Sequence, residues 1–492
     1  MDAAPTPRVL ADVLLNQARA TPMACALQFN GIECSYALLA AECERAAMRL
    51  WHGWGVRCGD RVAWLGGNHP AQIALLFALS RIGAVLLPLN TRLAPAEWDA
   101  QLRNCSPRHL VHDGAFASAA RDLATRHAMA GHTFDELVRD EGDAAVPEVA
   151  QPDMPALLVF TSGTTGQPKA AIHTQASLLA NMRIAAQVQG ITRQDVVATM
   201  LPLFHVGGLC IQTLPALYAG AKVILHPKFV PEAAIDCFEH DRPTLTLQVP
   251  ATMKALIDHP RWPGADLRSL RAVWAGSSVL PAPLVAAFHN RGLPVCNVYG
   301  ATETGPFSIA LPPEHAVSHA GSCGWPAPGV EVQLAGVKGG VGEVLVRAPN
   351  VVSRYWPDEP ACDEAGWFHT GDLASRAGDG SYTIVGRSKD LIISGGENIH
   401  PAEIEAALAL HDAIAECAAF ALPDDRWGEV VAVAVVRVAG AACTQEELAG
   451  FLAARLARFK LPHRWLFVDA LPKTALGKVQ RGELVRRISP SM

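Results

Sequence analysis

One loop of the chain has residue types that are suited to holding phosphate groups. Residues 157–169 read LLVFTSGTTGQPK, so an apolar run leads into small hydroxylated residues and glycines and ends on Lys169. Glycines let backbone N–H groups approach phosphate oxygens closely, while the hydroxyl groups add donors and the lysine adds a positive charge. The loop lacks the Gly-x4-Gly-Lys-Ser/Thr spacing of a Walker A motif. On its own, it indicates either a phosphate site or a polar turn.

Two segments further along the chain add groups that suit a nucleotide. Residues 297–305, NVYGATETG, offer an aromatic ring for a purine, glycines for close approach, and Glu303 as a ligand for Mg²⁺. Residues 367–372, WFHTGD, place Asp372 after an expected tight turn, where it suits both ribose hydroxyls. Both segments therefore favour a nucleotide site.

The C-terminal part of the chain completes this set of polar groups. Arg387 offers a guanidinium fork for a phosphate or ribose oxygen. Residues 394–398, SGGEN, form a second glycine turn, and residues 472–478, PKTALGK, place Lys478 on a turn near the C-terminus.

Several of these residues also have an ordinary structural interpretation. Lys478 could be one more lysine of a basic tail, and Glu303 could cap a helix that begins near residue 302. Asp372 could be a turn residue. His205, in the segment LFHVGG, could be a core histidine whose ring nitrogens are satisfied by hydrogen bonds. The sequence leaves these alternatives open.

The elements that position the polar segments follow from the pattern of apolar residues. Up to about residue 385, short apolar runs such as 62–65 alternate with helical spacing, as in Ile73, Leu76 and Leu79. Strands separated by helices predict a mainly parallel, helix-covered sheet. Further strands of this kind are predicted at residues 84–87, 223–225, 244–247 and 272–274. Residues 321–385 instead carry strands punctuated by glycine and proline, which predicts a β-rich subdomain.

The predicted fold class is α/β, with a large N-terminal domain of helix-covered sheets and a β-rich subdomain, followed by a small α+β C-terminal domain. At 492 residues the chain is too long for one ordinary core. The segment GRSKD, residues 386–390, is the expected boundary. The predicted limits are therefore residues 1–386 for the N-terminal domain, 387–390 for a hinge and 391–492 for the C-terminal domain.

Composition argues against several classes of protein. The formal net charge of -6 gives no basic surface for nucleic acid. The best apolar run, residues 73–89, is interrupted by Arg81, so no membrane-spanning segment is expected, and the N-terminal residues lack a signal-peptide pattern. The twelve cysteines are scattered without zinc-site spacing. These features predict a cytoplasmic protein with reduced thiols.

Taken together and in this order, the polar segments resemble the adenylate-forming superfamily of acyl-CoA synthetases, peptide-synthetase adenylation domains and beetle luciferases. The resemblance extends over essentially the whole chain and is greatest to bacterial acyl- and aryl-CoA ligases. It implies an ATP-dependent acyl-CoA ligase that activates an apolar monocarboxylic acid, aromatic or of medium to long chain, as an acyl-adenylate. The acyl group then passes to CoA, with release of AMP and pyrophosphate. The implied cofactors are ATP, Mg²⁺ and CoA, and a homodimer is compatible with the resemblance.

The resemblance also implies roles for individual residues. The implied catalytic residues are Lys478, Glu303 and His205, and Glu303 is also the implied metal ligand. The implied ATP-binding residues are Thr161, Ser162, Gly163, Thr164, Thr165, Gly166, Lys169, Gly276, Ser277, Asn297, Tyr299, Gly300, Thr302, Asp372 and Arg387. Lys389 is the implied hinge, about which a mobile C-terminal domain turns between the two half-reactions. The implied CoA-binding residues are Gly395, Gly396, Arg92, Trp427, Phe459 and Lys460.

By the same resemblance, small and apolar residues line the acyl pocket. They are His205, Val206, Gly207, Ala275, Gly276, Gly300, Gly305 and Pro306. None is an Arg or Lys that could pair with a second carboxylate, so short dicarboxylates are disfavoured. Phe204 and His205 stand where adenylation domains place an Asp for an α-ammonium group. Around Phe459, this chain has Leu461 and His463 where some relatives carry basic residues, so its contacts with the phosphates of CoA depart from the pattern.

Two other functions stay open at this level. The chain could be a stand-alone adenylating enzyme that transfers its acyl group to the thiol of a carrier protein. It could also be a nucleotide-binding scaffold that has lost activity. A scaffold predicts loss of Lys478, Glu303 or Asp372, and all three are present.

Overall fold

The computed structural model describes residues 6–139, 145–161, 168–276, 280–394, 397–424, 427–474 and 477–488. Its strands are β1 (Cys25–Phe29), β2 (Ile32–Ser35), β3 (Arg61–Leu65), β4 (Val85–Pro88), β5 (His109–His112), β6 (Ala130–Thr133), β7 (Pro155–Thr161), β8 (Lys169–Thr174), β9 (Val196–Thr199), β10 (Lys222–Leu225), β11 (Leu245–Gln248), β12 (Ala272–Gly276), β13 (Val295–Tyr299), β14 (Ile309–Ala310), β15 (Trp325–Pro326), β16 (Glu331–Lys338), β17 (Val341–Arg347), β18 (Arg354–Tyr355), β19 (Glu359–Pro360), β20 (Phe368–Arg376), β21 (Tyr382–Arg387), β22 (Ile392–Ser394), β23 (Glu397–Ile399), β24 (Ile414–Asp424), β25 (Gly428–Arg437) and β26 (Arg464–Phe467).

Helices connect and cover these strands. They are α1 (Leu10–Ala20), α2 (Tyr36–Met48), α3 (Pro70–Arg81), α4 (Pro95–Cys105), α5 (Ala117–Arg126), α6 (Phe134–Leu137), α7 (Gln175–Gln189), α8 (Val206–Gly208), α9 (Leu214–Ala219), α10 (Pro231–Asp236), α11 (Pro250–Ile257), α12 (Ala282–His289), α13 (Pro401–Leu408), α14 (Gln445–Ala453) and α15 (Arg481–Ile488). None of the helices in the described part of the chain combines the length and the apolar character needed to span a bilayer.

Two large sheets form the N-terminal part of the fold. The nine-stranded sheet has the order β15-β14-β13-β12-β11-β9-β10-β1-β2, and its strands from β13 to β1 run parallel. The eight-stranded sheet has the order β19-β18-β8-β7-β4-β3-β5-β6, with parallel pairing from β7 to β6. The α/β prediction is confirmed.

A layer of helices lies between the two large sheets. The largest apolar cluster contains Trp64 from one sheet and Trp274 from the other, together with buried residues of α1, α2, α3, α7 and α9. Helix α3 lies within this layer, and all of its residues from Ala71 to Ser80 are buried. Pro70 stands at its first position and the ring of His69 accepts a hydrogen bond from the Ala71 N–H, which fixes where the helix begins. Helices on the outer faces complete the coverage of both sheets.

Two smaller sheets follow in the chain. The strands β16, β17, β20 and β21 form a four-stranded antiparallel sheet, which is the β-rich subdomain expected for residues 321–385. A five-stranded sheet contains β22 to β26, and its two apolar clusters consist of residues from Ile392 onward. The predicted hinge region forms the end of β21 and a 3-10 turn at Ser388–Asp390. The limits of the domains themselves stay a prediction.

Candidate functional site

The loop after β13 is shaped by backbone contacts that only glycine permits. A Cβ atom on Gly300 would lie 1.6 Å from the carbonyl oxygen of Pro306, and one on Gly276 would lie 2.5 Å from that of Val298. The expected close approach at these glycines is therefore made by the chain's own backbone. Gly305 has φ +94, which side chains rarely adopt. This packing orients the short 3-10 turn at Thr302–Thr304.

Asp372 is held by two donors at the centre of the site. Its Oδ2 accepts a hydrogen bond from the Tyr299 hydroxyl at 2.9 Å, and its Oδ1 lies 2.9 Å from the Nε of Arg387 on the neighbouring strand. Burial and the Asp372 charge hold the pKa of Tyr299 well above its usual range, so the hydroxyl keeps its proton. A carboxylate has about four acceptor sites, so Asp372 can still accept further hydrogen bonds.

The expected tight turn before Asp372 is not present. Residues 368–376 form the single strand β20, and the pairing with β17 shifts its register between His369 and Leu373. Gly371 has φ +67 at this bulge. An extra residue in one strand bends it and changes the direction of the side chains. The bulge, and not a turn, therefore directs Asp372 towards Tyr299, and the interpretation of Asp372 as a turn acid is wrong.

Glu303 is a buried carboxylate whose geometry suits a divalent cation. Its exposed fraction is 9%, and its Oε1 accepts a hydrogen bond from the Tyr355 hydroxyl at 3.0 Å. Its other oxygen accepts no hydrogen bond from the residues that the structure describes. Mg²⁺ prefers oxygen ligands and is bound in proteins by one or two carboxylates together with substrate phosphates. The side chain therefore fits a metal ligand, and it does not cap a helix.

Lys169 lies at the start of β8, directly after the glycine-rich loop. Its ammonium group forms an ion pair with Glu359 and lies 5.3 Å from the centroid of the Tyr355 ring. Because Tyr355 also bonds Glu303, one aromatic side chain contacts both the lysine and the buried carboxylate. Neither Tyr355 nor Glu359 was expected at the site from the sequence.

Lys478, in the C-terminal part of the chain, interacts electrostatically with these groups. The surrounding protein lowers the pKa of Lys478, and the positive charge of Arg387 adds to this effect. The charges of Asp372 and Glu303 raise it, and that of Lys389 lowers it further. These interactions bring Lys478 within electrostatic range of both carboxylates, although its side chain remains accessible to solvent. Its role at the site stays a prediction.

Two hydrogen bonds join Lys478 to Thr474. The Lys478 carbonyl accepts a hydrogen bond from the Thr474 N–H at 2.7 Å, and the Lys478 N–H donates to the Thr474 hydroxyl at 3.2 Å. Three residues later, Arg481 reaches Asp390 at 3.4 Å, Glu405 at 2.7 Å and the carbonyl oxygen of Ala419 at 2.9 Å. Arg481 thereby joins the segment that follows Lys478 to Asp390, which belongs to the predicted hinge segment.

His205 lies near Lys478 on the loop between β9 and α8. Burial lowers its pKa to about 3, and the charges of Arg92 and Lys478 act in the same direction. Its Nε2 is buried without a hydrogen-bond partner among the described residues. The interpretation of a satisfied core histidine is therefore wrong, and the ring is neutral at physiological pH.

Asn68 fixes the loop that carries His205, although it was not expected at the site. Its side-chain NH₂ donates to the carbonyl oxygens of Leu201 and His226, each at 3.0 Å, and its Oδ1 accepts from the Leu203 N–H at 2.8 Å. Asn68 follows β3 in one large sheet, whereas its partners follow strands of the other. A polar residue directly after a buried strand is the available signal, but its partners lie far away in sequence.

The remaining residues predicted for the site are those that form pairs or polar contacts, those described by their position or exposure, and those outside the described part of the chain. Thr161 and Lys169 are paired across β7 and β8, and the Asn297 side chain donates to the Ser322 carbonyl at 3.3 Å. Lys460 forms an ion pair with Glu403 at 2.6 Å. Val206 begins α8, and a Cβ on Gly207 would enter open space. Ala275 belongs to the apolar cluster outside the nine-stranded sheet. Trp427 and Phe459 are exposed by 42% and 41%. The predicted residues that lie outside the described part of the chain are Ser162, Gly163, Thr164, Thr165, Gly166, Ser277, Gly395 and Gly396.

Comparisons with known proteins extend over most of the chain. The model of the AMP-binding enzyme family matches residues 14–356, and that of the AMP-binding enzyme C-terminal domain matches residues 403–478. An indoleacetate–CoA ligase of Aromatoleum aromaticum is 42% identical over 483 residues, which cover 93% of this chain and 94% of that protein. A feruloyl-CoA synthase of an Amycolatopsis species is 39% identical over 488 residues, which cover 96% of this chain and 98% of that protein.

A solved structure is similar over the same extent. The o-succinylbenzoate CoA synthetase of Bacillus subtilis, in complex with its acyl-adenylate intermediate, superposes with a TM-score of 0.87 at 30% identity. The match covers 96% of this chain and 97% of that protein. The same synthetase is also known in complex with ATP and a magnesium ion.

Proposed function

This chain belongs to the family of AMP-binding enzymes, and we propose that within this family it activates an aryl carboxylic acid. The enzyme is an ATP-dependent acyl-CoA ligase, which forms an acyl-adenylate and passes the acyl group to CoA with release of AMP and pyrophosphate. Three relatives that are similar over nearly their whole length act on indoleacetate, ferulate and o-succinylbenzoate, and all three acids carry an aromatic ring. The small and apolar residues expected to line the acyl pocket support the same class of substrate.

What supports the assignment of residues is the electrostatic interaction of Lys478 with Asp372 and Glu303, together with the hydrogen bonds that hold these two carboxylates. In the first half-reaction an oxygen of the substrate carboxylate attacks the α-phosphorus of ATP, and the bond to pyrophosphate breaks. Two anions must approach each other, so positive charge has to offset their repulsion. We assign this task to the ammonium group of Lys478, which reaches the cleft from the C-terminal part.

Asp372 and Arg387 hold the nucleoside in this proposal. Asp372 accepts hydrogen bonds from the ribose hydroxyls, while Tyr299 and Arg387 fix the carboxylate from behind. Lys169 binds the outer phosphates together with the loop that precedes it. Mg²⁺, held by Glu303, supplies positive charge that neutralises the phosphate oxygens.

In the second half-reaction the CoA thiol attacks the acyl carbonyl carbon, and AMP leaves. We propose that a rotation about Lys389 withdraws Lys478 and brings residues 395 and 396 to the channel through which the thiol enters. The neutral ring of His205, beside the acyl pocket, is suited to controlling access without adding charge. The CoA-binding roles of Arg92, Trp427, Phe459 and Lys460, the homodimer and the cytoplasmic location stay predictions.

A panel of carboxylic acids tests the proposal through ATP-dependent release of pyrophosphate. Aryl acids such as indoleacetate, ferulate and benzoate should give kcat/KM values well above those of aliphatic acids of equal size. Mass spectrometry of the products then distinguishes CoA from a phosphopantetheinylated carrier protein as the acceptor. Acyl transfer to the carrier with no acyl-CoA from any acid would support the alternative adenylating enzyme.

A further inference from the structure

Tyr355 and Glu359 occupy a position between two groups of the proposed nucleotide site. The Tyr355 hydroxyl donates to Glu303 at 3.0 Å, and its ring lies 5.3 Å from the Lys169 ammonium. Lys169 extends past this ring to pair with Glu359. No role in the reaction has yet been given to Tyr355 or to Glu359.

The register of three neighbouring strands explains this arrangement. Tyr355 on β18 lies opposite Ala171 on β8 and opposite Glu359 on β19. Side chains directly opposite each other in a sheet lie on the same face, and so do residues two apart on one strand. Lys169 is two residues before Ala171, so it shares the face of Tyr355 and Glu359.

The charges on this face differ in how firmly they are held. The Tyr355 hydroxyl donates to a carboxylate that is only 9% exposed. The ion pair of Lys169 and Glu359 is more accessible, since 28% and 54% of the two side chains are exposed. An accessible ion pair is weak. A triphosphate carries several negative charges and can therefore displace the Glu359 carboxylate from the Lys169 ammonium group, whereas the hydrogen bond from Tyr355 to Glu303 is kept.

We propose that Glu359 and Tyr355 are positioning residues for ATP. Glu359 holds Lys169 over the Tyr355 ring until the triphosphate displaces the Glu359 carboxylate. Tyr355 fixes the Glu303 carboxylate in the orientation that receives the metal bound to the nucleotide. One side chain thereby connects the phosphate-binding lysine to the metal-binding carboxylate. The inference rests on the proposed function, because it takes Lys169 and Glu303 as ligands of ATP and Mg²⁺.

Glu359→Gln tests the first part by isothermal titration of ATP in the presence of EDTA. The substitution removes the competing charge, so the Kd for ATP should fall by about two- to fivefold. Asp358→Asn is the matched control, because the Asp358 carboxylate is adjacent in sequence but pairs with Arg354. Equal Kd values for Glu359→Gln, Asp358→Asn and the wild-type enzyme would overturn the holding role of Glu359.

Tyr355→Phe tests the second part, because it keeps the ring under Lys169 and removes only the hydroxyl. The Kd for ATP in EDTA should stay within about twofold of the wild-type value. The Kd for Mn²⁺ in the enzyme–ATP mixture, measured from the free Mn²⁺ signal by electron paramagnetic resonance, should rise by about tenfold. A hydroxyl with only a structural role would not separate these two constants, and an equal change in both would overturn the connection. Tyr218→Phe controls for the loss of a tyrosine hydroxyl elsewhere.

The wild-type titration separates the two levels of inference. If the wild-type enzyme binds no ATP, the proposed function itself is refuted. If it binds ATP and Mn²⁺ while both variants retain its constants, only the positioning role is refuted.

Discussion

Replacing Lys478 by alanine separates the two half-reactions. The substitution removes one positive charge from the cleft that contains Asp372 and Glu303. Two unit charges 4 Å apart interact by about 4 kcal/mol at an effective dielectric constant near 20. Loss of an interaction of this size at the α-phosphate corresponds to a decrease of about 10³-fold in the rate of adenylation. In the proposed rotation Lys478 is withdrawn for the second half-reaction, so we expect thioester formation from pre-made acyl-adenylate to change by less than about threefold.

Two assays measure these steps separately. Pyrophosphate release from ATP and an aryl acid reports the first step, and acyl-CoA formation from synthetic acyl-adenylate reports the second. Lys473→Ala is the matched control, because Lys473 lies on the same turn but pairs with Glu416 at 2.6 Å. It should leave both rates close to those of the wild-type enzyme. Equal losses in both steps for Lys478→Ala, or the same loss of adenylation for Lys473→Ala, would refute the reasoning.

Three further predictions follow from the geometry. In the proposed mechanism the protonated form of Lys478 acts, and the pKa of Lys478 is lowered from the ordinary lysine value of 10.5. In a pH–rate profile, the rate of pyrophosphate release should therefore decline at a pH below 10.5. Lys478→Arg should move this decline to higher pH. Gly300→Ala should destabilise the protein by about 1–3 kcal/mol or prevent folding, because the added Cβ would collide with the backbone of Pro306. A Cβ at Gly207 would enter open space, so Gly207→Ala should keep the wild-type melting temperature and change the KM for the acid. Asn68→Ala should destabilise the protein by about 3 kcal/mol, because it removes three hydrogen bonds of a side chain that is only 5% exposed. We expect a lower melting temperature in calorimetry and a larger rise in the KM for the acid than in that for ATP; equal KM changes would contradict its role at the His205 loop.

The repeated elements could be predicted from local patterns. The strand predicted at residues 62–65 is β3, and the spacing of apolar residues from Ile73 to Leu79 corresponds to α3. These predictions succeeded because burial on both faces of a parallel sheet leaves a continuous apolar run.

The contacts within the site could not be predicted in the same way. The hydrogen bond from Tyr355 to Glu303 and the ion pair of Lys169 with Glu359 join residues that are far apart in sequence and meet only through the register of the sheet. The glycine at 300 was expected to admit a ligand, but it admits the backbone of the same loop. Local composition identifies which residues are available for chemistry, while strand order decides which of them meet.

Arg481 gives the catalytic lysine a short mechanical path to the proposed pivot. Along the backbone, Lys478 is separated from Asp390 by the whole five-stranded sheet, but through Arg481 it is separated by one ion pair and three residues. A change in the backbone torsion angles beside Asp390 can therefore be transmitted to Lys478 through the ion pair of Arg481 with Asp390, without involving the intervening loops. In the proposed rotation about Lys389, this ion pair links the position of the Lys478 ammonium group to Asp390 of the predicted hinge segment.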